Sequence, residues 1–113
     1  MKTLRYLKSY RLHSSEYQAA FQGKRIYCKH FMMVASKVEA APNKLGIITS
    51  KKKLPKAIQR HRCRRLIREK FRLCQNDFHY YHMVVVANHS AATATKQELW
   101  QCLDHCWQQL AKA

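Results

Sequence analysis

Lys56-Ala57-Ile58-Gln59-Arg60-His61-Arg62-Cys63-Arg64-Arg65-Leu66-Ile67-Arg68-Glu69-Lys70-Phe71-Arg72 sets the reading of the whole chain. From Lys56 to about Cys74 there is no Gly or Pro, and most residues favour helix. Pro55 suits the first turn. At about 100° per residue, Cys63, Leu66, Ile67, Phe71 and Cys74 gather on one side. Arg60, His61, Arg64, Arg65, Arg68 and Arg72 gather on another, with Arg62 and Glu69 between them on the far side. The stretch predicts a helix fixed by its apolar face, with a row of guanidiniums turned to solvent.

Elements on either side follow from local pattern. Ser14 and Ser15 are candidate caps for a short helix through Glu16 to Phe21, ending near Gly23, with Tyr17 and Phe21 on one face. Arg25 to Ala35 reads as one long strand or two short ones. Val38 to Asn43 is a turn, and Lys44 to Ser50 is extended and β-branched at its centre. Met83-Val84-Val85-Val86-Ala87 reads as a strand buried on both faces. Ala94 to Ala111 is a last helix, striped by Leu99, Leu103, Cys106, Trp107 and Leu110. The order is helix, two or three strands, helix, strand, helix, an α+β or open α/β sandwich. With 113 residues and no internal repeat or linker, residues 1–113 form a single domain.

Charge narrows the function. Lys and Arg number 22 against 6 Asp and Glu, a net charge of +16. Twelve of those cations fall between Lys44 and Arg72 against one acid, Glu69. Like charges four apart (Arg60/Arg64, Arg64/Arg68, Arg68/Arg72) each cost a helix about 0.2–0.5 kcal/mol, a cost that phosphates reverse. A solvated face normally mixes both signs, so a polyanion is the expected partner, and Arg favours forked contacts with phosphate. No apolar run reaches the roughly 18 residues needed to span a bilayer. Lys2, Arg5, Lys8 and Arg11 precede no apolar stretch, so the N-terminus is not a secretory signal and the expected compartment is the cytoplasm, with no membrane role. The five cysteines (Cys28, Cys63, Cys74, Cys102, Cys106) contain no C-x-x-C pair and predict reduced, buried thiols.

Protein-borne catalysis finds little support. The acids Glu16, Glu39, Glu69, Asp77, Glu98 and Asp104 are scattered, and His79, His82 and His89 read as loop or satisfied polar residues. Cys102, His105 and Cys106 share a helix, but structural zinc sites usually draw ligands from two knuckles, so packing is the expected role and no metal site is predicted. What the charge leaves is nucleic-acid binding, and a non-enzymatic RNA module such as a ribosomal protein or an RNA chaperone is one class that fits it.

Ser50-Lys51-Lys52 followed by Lys56, Ala57, Arg60, Arg65, Arg68, Glu69, Phe71 and Arg72 resembles the signature of the bacterial ribonuclease P protein component. The likeness extends to Arg11-Leu12, Tyr17-Gln18-Ala19-Ala20-Phe21, Gly23-Lys24-Arg25, Leu45-Gly46-Ile47-Ile48 and Val84 to Ala87. His61 stands where the family usually has Asn, and Val34 where an aromatic is common. The resemblance implies a two-layer α+β sandwich: a mixed sheet of about four strands and three helices in α-β-β-β-α-β-α order, with a left-handed β-α-β crossover. It implies a one-to-one partnership with a catalytic RNA, no obligate protein partner, and removal of the 5′ leader of precursor tRNA. Mg2+ held mainly by that RNA would supply the metal chemistry, so no catalytic residue is assigned to the protein. It further implies that Arg60, His61, Arg64, Arg65, Arg68 and Arg72 meet the catalytic RNA. Tyr17, Phe21, Met32, Val34, Lys51 and Lys52 would line a cleft for the single-stranded leader.

Overall fold

The computed structural model describes residues 11–39, 43–74 and 81–112. Its elements run α1 (Ser14–Ala20), β1 (Lys24–Tyr27), β2 (Phe31–Lys37), β3 (Lys44–Ile48), α2 (Ala57–Cys74), β4 (Tyr81–Ala87), a 3-10 turn (His89–Ala92) and α3 (Lys96–Ala111). One four-stranded mixed sheet has the order β1-β2-β4-β3. The β1–β2 and β2–β4 pairs are antiparallel, whereas β3 runs parallel to β4 and reaches it through α2. The α+β order matches the expectation, and the segment from Arg25 resolves into the two strands of a hairpin. The central part of the turn before β3, with Ala41 and Pro42, lies outside the described residues.

Strand alternation divides the side chains between two layers. One face carries Ile26, Phe31, Met33, Ala35, Leu45, Met83 and Val85, which join Cys63, Leu66, Ile67 and Phe71 of α2 and the stripe of α3 in the main core. All five residues of the predicted α3 stripe are buried, and Cys102 joins them. The opposite face holds a small second cluster: Leu12, Ala20 and Val84, edged by Tyr17, Phe21, Ile48 and Val86. The chain before α1 bridges in parallel to β3 at Arg11 and Leu45, and Leu12 N–H donates to the Leu45 carbonyl at 3.1 Å.

Three details differ from expectation. Ser14 and Ser15 lie inside α1, and its N-cap is His13, whose N–H donates to Glu16 Oε1 at 2.8 Å. The final helix starts at Lys96, because Thr95 and Glu98 form a reciprocal capping box. The thiols are not all free: Cys28, just after β1, is disulfide-bonded to Cys102 of α3, 74 residues away in sequence. Cys106, one turn further along α3, places its sulfur 3.2 Å from that of Cys28. Burial pushes the Cys106 thiol up to about 12. Cys102 and Cys106 face the core while His105 is exposed, which is the packing arrangement.

Candidate RNA interface

The approach to α2 is a stapled turn. Ser50 accepts from Lys53 N–H through its hydroxyl (3.1 Å) and from Leu54 N–H through its carbonyl (2.9 Å). Leu54 is fully buried, so Lys51, Lys52 and Lys53 are left exposed on the turn. Along α2 the cationic face then divides between two flanks. Arg60 donates to the carbonyls of Leu54 (2.8 Å) and Pro55 (3.0 Å), and Arg64 Nε donates to Thr49 Oγ1 at 3.1 Å. Arg60, His61 and Arg64 border one depression with Lys51 and Thr49. Arg64 and Arg68 border the next, with Arg11, Tyr17, Leu45 and Ile47. This flank therefore runs along β3 and arrives at α1.

Arg65 leaves that row. It is exposed on the other flank of α2 and faces α3. Arg72 is half-buried and ion-paired with Glu69, so its charge is partly offset. Arg62, assigned by the helical wheel to the far side, instead clasps the turn after β4, donating to the carbonyls of Ala91 (3.1 Å) and Ala94 (2.7 Å). The wheel gives its angle correctly but cannot show that this turn packs there.

The predicted cleft is rebuilt by strand register. Arg25, Val34, Val84 and Gly46 are directly opposed across the sheet, and α1 lies over this row. Val34 is 0% exposed, so it is buried packing and not part of an open cleft lining. Gly46 makes room for an aromatic ring: a Cβ there would stand 2.6 Å from the Tyr17 ring. The next row is Tyr27, Met32, Val86 and Ile48, which crosses all four strands over about 14 Å. Met32, Val86 and Ile48 are half-buried and Tyr27 is 66% exposed, so this row forms the open floor beside Tyr17 and Phe21. Met32 is among the residues expected here, whereas Tyr27, Ile48 and Val86 join it only through the strand register. Alternation with Met32 was the available signal once the pairing was known.

α1 is held in place electrostatically. Lys44 Nζ lies 3.1 Å from Glu16 Oε2, linking β3 to the helix. The His13 N–H, and then the Lys44 ammonium, hold the Glu16 carboxyl below its ordinary range. His82, opposite Lys44 in the sheet, is lowered mainly by burial. The other described carboxylates are largely committed as well: Glu69 to Arg72, Asp104 to Lys70, and Glu98 to the α3 cap. Asp77 and His79 lie outside the described residues. Among the described residues no group of three His, Cys, Asp or Glu converges to hold a metal ion.

The fold, the basic flank and the half-open aromatic cleft define an α+β RNA-binding domain. The family model described as Ribonuclease P matches residues 7–111. The chain is similar to the ribonuclease P protein component of Acinetobacter baylyi, at 33% identity over 101 residues that cover 88% of this chain and 77% of that one. It is 32% identical to that of Vibrio parahaemolyticus, covering 99% and 97%. The solved structure of the Staphylococcus aureus RNase P protein superposes with a TM-score of 0.83 at 25% identity, covering 91% of this chain and 96% of that one. The chain belongs to the ribonuclease P protein family, the protein component of an endoribonuclease that acts in tRNA 5′ processing.

Proposed function

We propose that the chain pairs one-to-one with ribonuclease P RNA and positions precursor tRNA by gripping both the catalytic RNA and the 5′ leader. The carrying observation is continuity: the flank of Arg60, Arg64 and Arg68 ends at Tyr17, beside the open row of the sheet. Phosphates of the catalytic RNA would lie along the flank from His61 onward; Lys51, expected with Lys52 in the leader cleft, borders Arg60 and His61 at the start of this flank instead. Unpaired leader bases would stack near Tyr17 and Phe21 on the floor made by Met32, Val86 and Ile48. Stacking on an aromatic contributes about 1–3 kcal/mol per base, and cations alongside track the backbone. The reaction's Mg2+ would be held mainly by RNA. The protein would contribute binding and orientation, acting in the cytoplasm without an obligate protein partner.

Reconstitution tests this reading. Added protein should lower the magnesium requirement of a bacterial ribonuclease P RNA cleaving precursor tRNA, and should cleave nothing alone. Affinity should fall with salt by a slope of about −0.7 to −0.9 per neutralised phosphate, and replacing Arg60, Arg64 and Arg68 by Ala should flatten it. Cleavage by protein alone, or an unchanged slope, overturns the reading.

A further inference from the structure

The second flank of α2 has a groove of its own. Arg65 and Leu73 from α2 face Lys96, Gln97, Trp100 and Gln101 from α3 across it. Its floor is apolar, since Leu66 is buried and Leu73 is 56% exposed. The rims are basic: Arg65 and Lys96 are exposed and form no ion pair among the described residues, while the one acid present, Glu69, is paired with Arg72. Trp100 lies between the rims, half-buried and held from behind. The Lys70 ammonium sits 4.9 Å from its ring centroid, and Asp104 anchors Lys70 in turn. A fixed indole binds a flat partner with little further loss of freedom.

We infer that this groove binds an unpaired stretch of the catalytic RNA, with a base stacked on Trp100 and the flanking phosphates on Arg65 and Lys96. An apolar, aromatic floor between cationic rims suits a single strand, because bases want the π-face and phosphates want the rims. A peptide of net negative charge would also meet the rims but would leave the indole without a planar partner. The groove lies on the α2–α3 layer, whereas the leader cleft lies on the α1 layer. A polyanion gripping the ridge of α2 from both sides therefore belongs to the larger RNA. The exposed amides of Gln97 and Gln101 are placed to hydrogen-bond base edges. The inference rests on the proposed pairing with ribonuclease P RNA, and it adds a second contact outside the arginine row and the leader cleft.

Tryptophan emission reads it out directly, because Trp107 is only 2% exposed and Trp100 is the accessible indole. The full chain is titrated with ribonuclease P RNA, with a leader oligonucleotide, and alone at rising protein concentration. RNA should quench Trp100, and the leader oligonucleotide should not. Trp100→Ala should weaken binding of the RNA about five- to a hundredfold. Since Trp100 also touches the core, Lys96→Glu at an exposed position is the companion variant, expected to weaken RNA binding at low salt without lowering the thermal midpoint, because an anion suits the first turn of α3. RNA that binds without quenching, together with wild-type affinity in Lys96→Glu, overturns the groove while leaving the proposed function intact. Quenching by the leader oligonucleotide, or by self-association without RNA, overturns the choice of occupant. Failure of the RNA to bind at all overturns the proposed function itself.

Discussion

The two faces of the sheet are used in contrasting ways. On the α2–α3 face the inward side chains of the strands share one core with α2 and α3, and Phe31, Met33, Leu45, Met83 and Val85 are fully buried. On the other face a helix of seven residues covers one cross-strand row and leaves the next one open. Burial of apolar area is worth about 25 cal/mol per Å2, so the open row forgoes stabilisation that the closed face collects. The difference teaches that the two faces of the sheet carry different loads: one is closed into the main core, and the other keeps an apolar row uncovered, where the proposed leader cleft lies.

The largest test of that contrast is Phe71→Ala. It should cost about 3–5 kcal/mol in urea unfolding, with RNA binding lost only as the protein unfolds. Reducing the Cys28–Cys102 disulfide should cost about 2–4 kcal/mol, because it releases a long loop in the unfolded chain. The thermal midpoint with and without dithiothreitol checks it, and Cys28→Ser, which removes the sulfur that both Cys102 and Cys106 approach, should abolish the difference. Gly46→Ala should cost about 1–3 kcal/mol by driving the Tyr17 ring off β3. The double variant with Tyr17→Ala should recover much of that loss, and additive costs would show that the ring does not sit there. Tyr27→Ala on the open row should change stability by less than about 0.5 kcal/mol. It should nonetheless lower affinity for precursor tRNA bearing a leader, relative to mature tRNA, by about fivefold or more.

The smallest effect concerns pH. Burial lowers both His30 and His82 below 6.5, so between their folded and unfolded values the unfolded chain binds more protons. Stability is therefore fully present above 6.5 and is lost as pH falls through the folded values. Glu16, also lowered, adds a loss that begins below 4.5. The thermal midpoint should fall between pH 8 and pH 5, and His82→Gln should flatten the decline. A midpoint that rises on acidification would contradict the burial of these rings.

Much of this was legible in the sequence because it is local. The α3 stripe, the valine run of β4 and the cation density of α2 depend on periods that neighbouring residues carry themselves. What could not be read depends on which elements pack together. The single arginine face divides because β3 lies along one flank of α2 and α3 along the other. Arg62 is claimed by a turn 29 residues later. Val34 shares a sheet face with Met32, yet only the position of α1 determines that the first is covered and the second open. Likewise, nothing in the spacing of Cys28 and Cys102 shows that a hairpin end meets the last helix.

The segment joining Arg11 and Leu12 to Leu45 has a consequence for the free protein. β3 is the outer strand on its side of the sheet, and such strands offer unpaired backbone groups to any other extended chain. Leu12 N–H already occupies the Leu45 carbonyl, and the bridge at Arg11 obstructs further strand addition at this border. The opposite border, β1, is only four residues long and presents the exposed cations Lys24 and Arg25. A molecule with an apolar row left uncovered is thus screened at both borders against edge-to-edge pairing with a second copy.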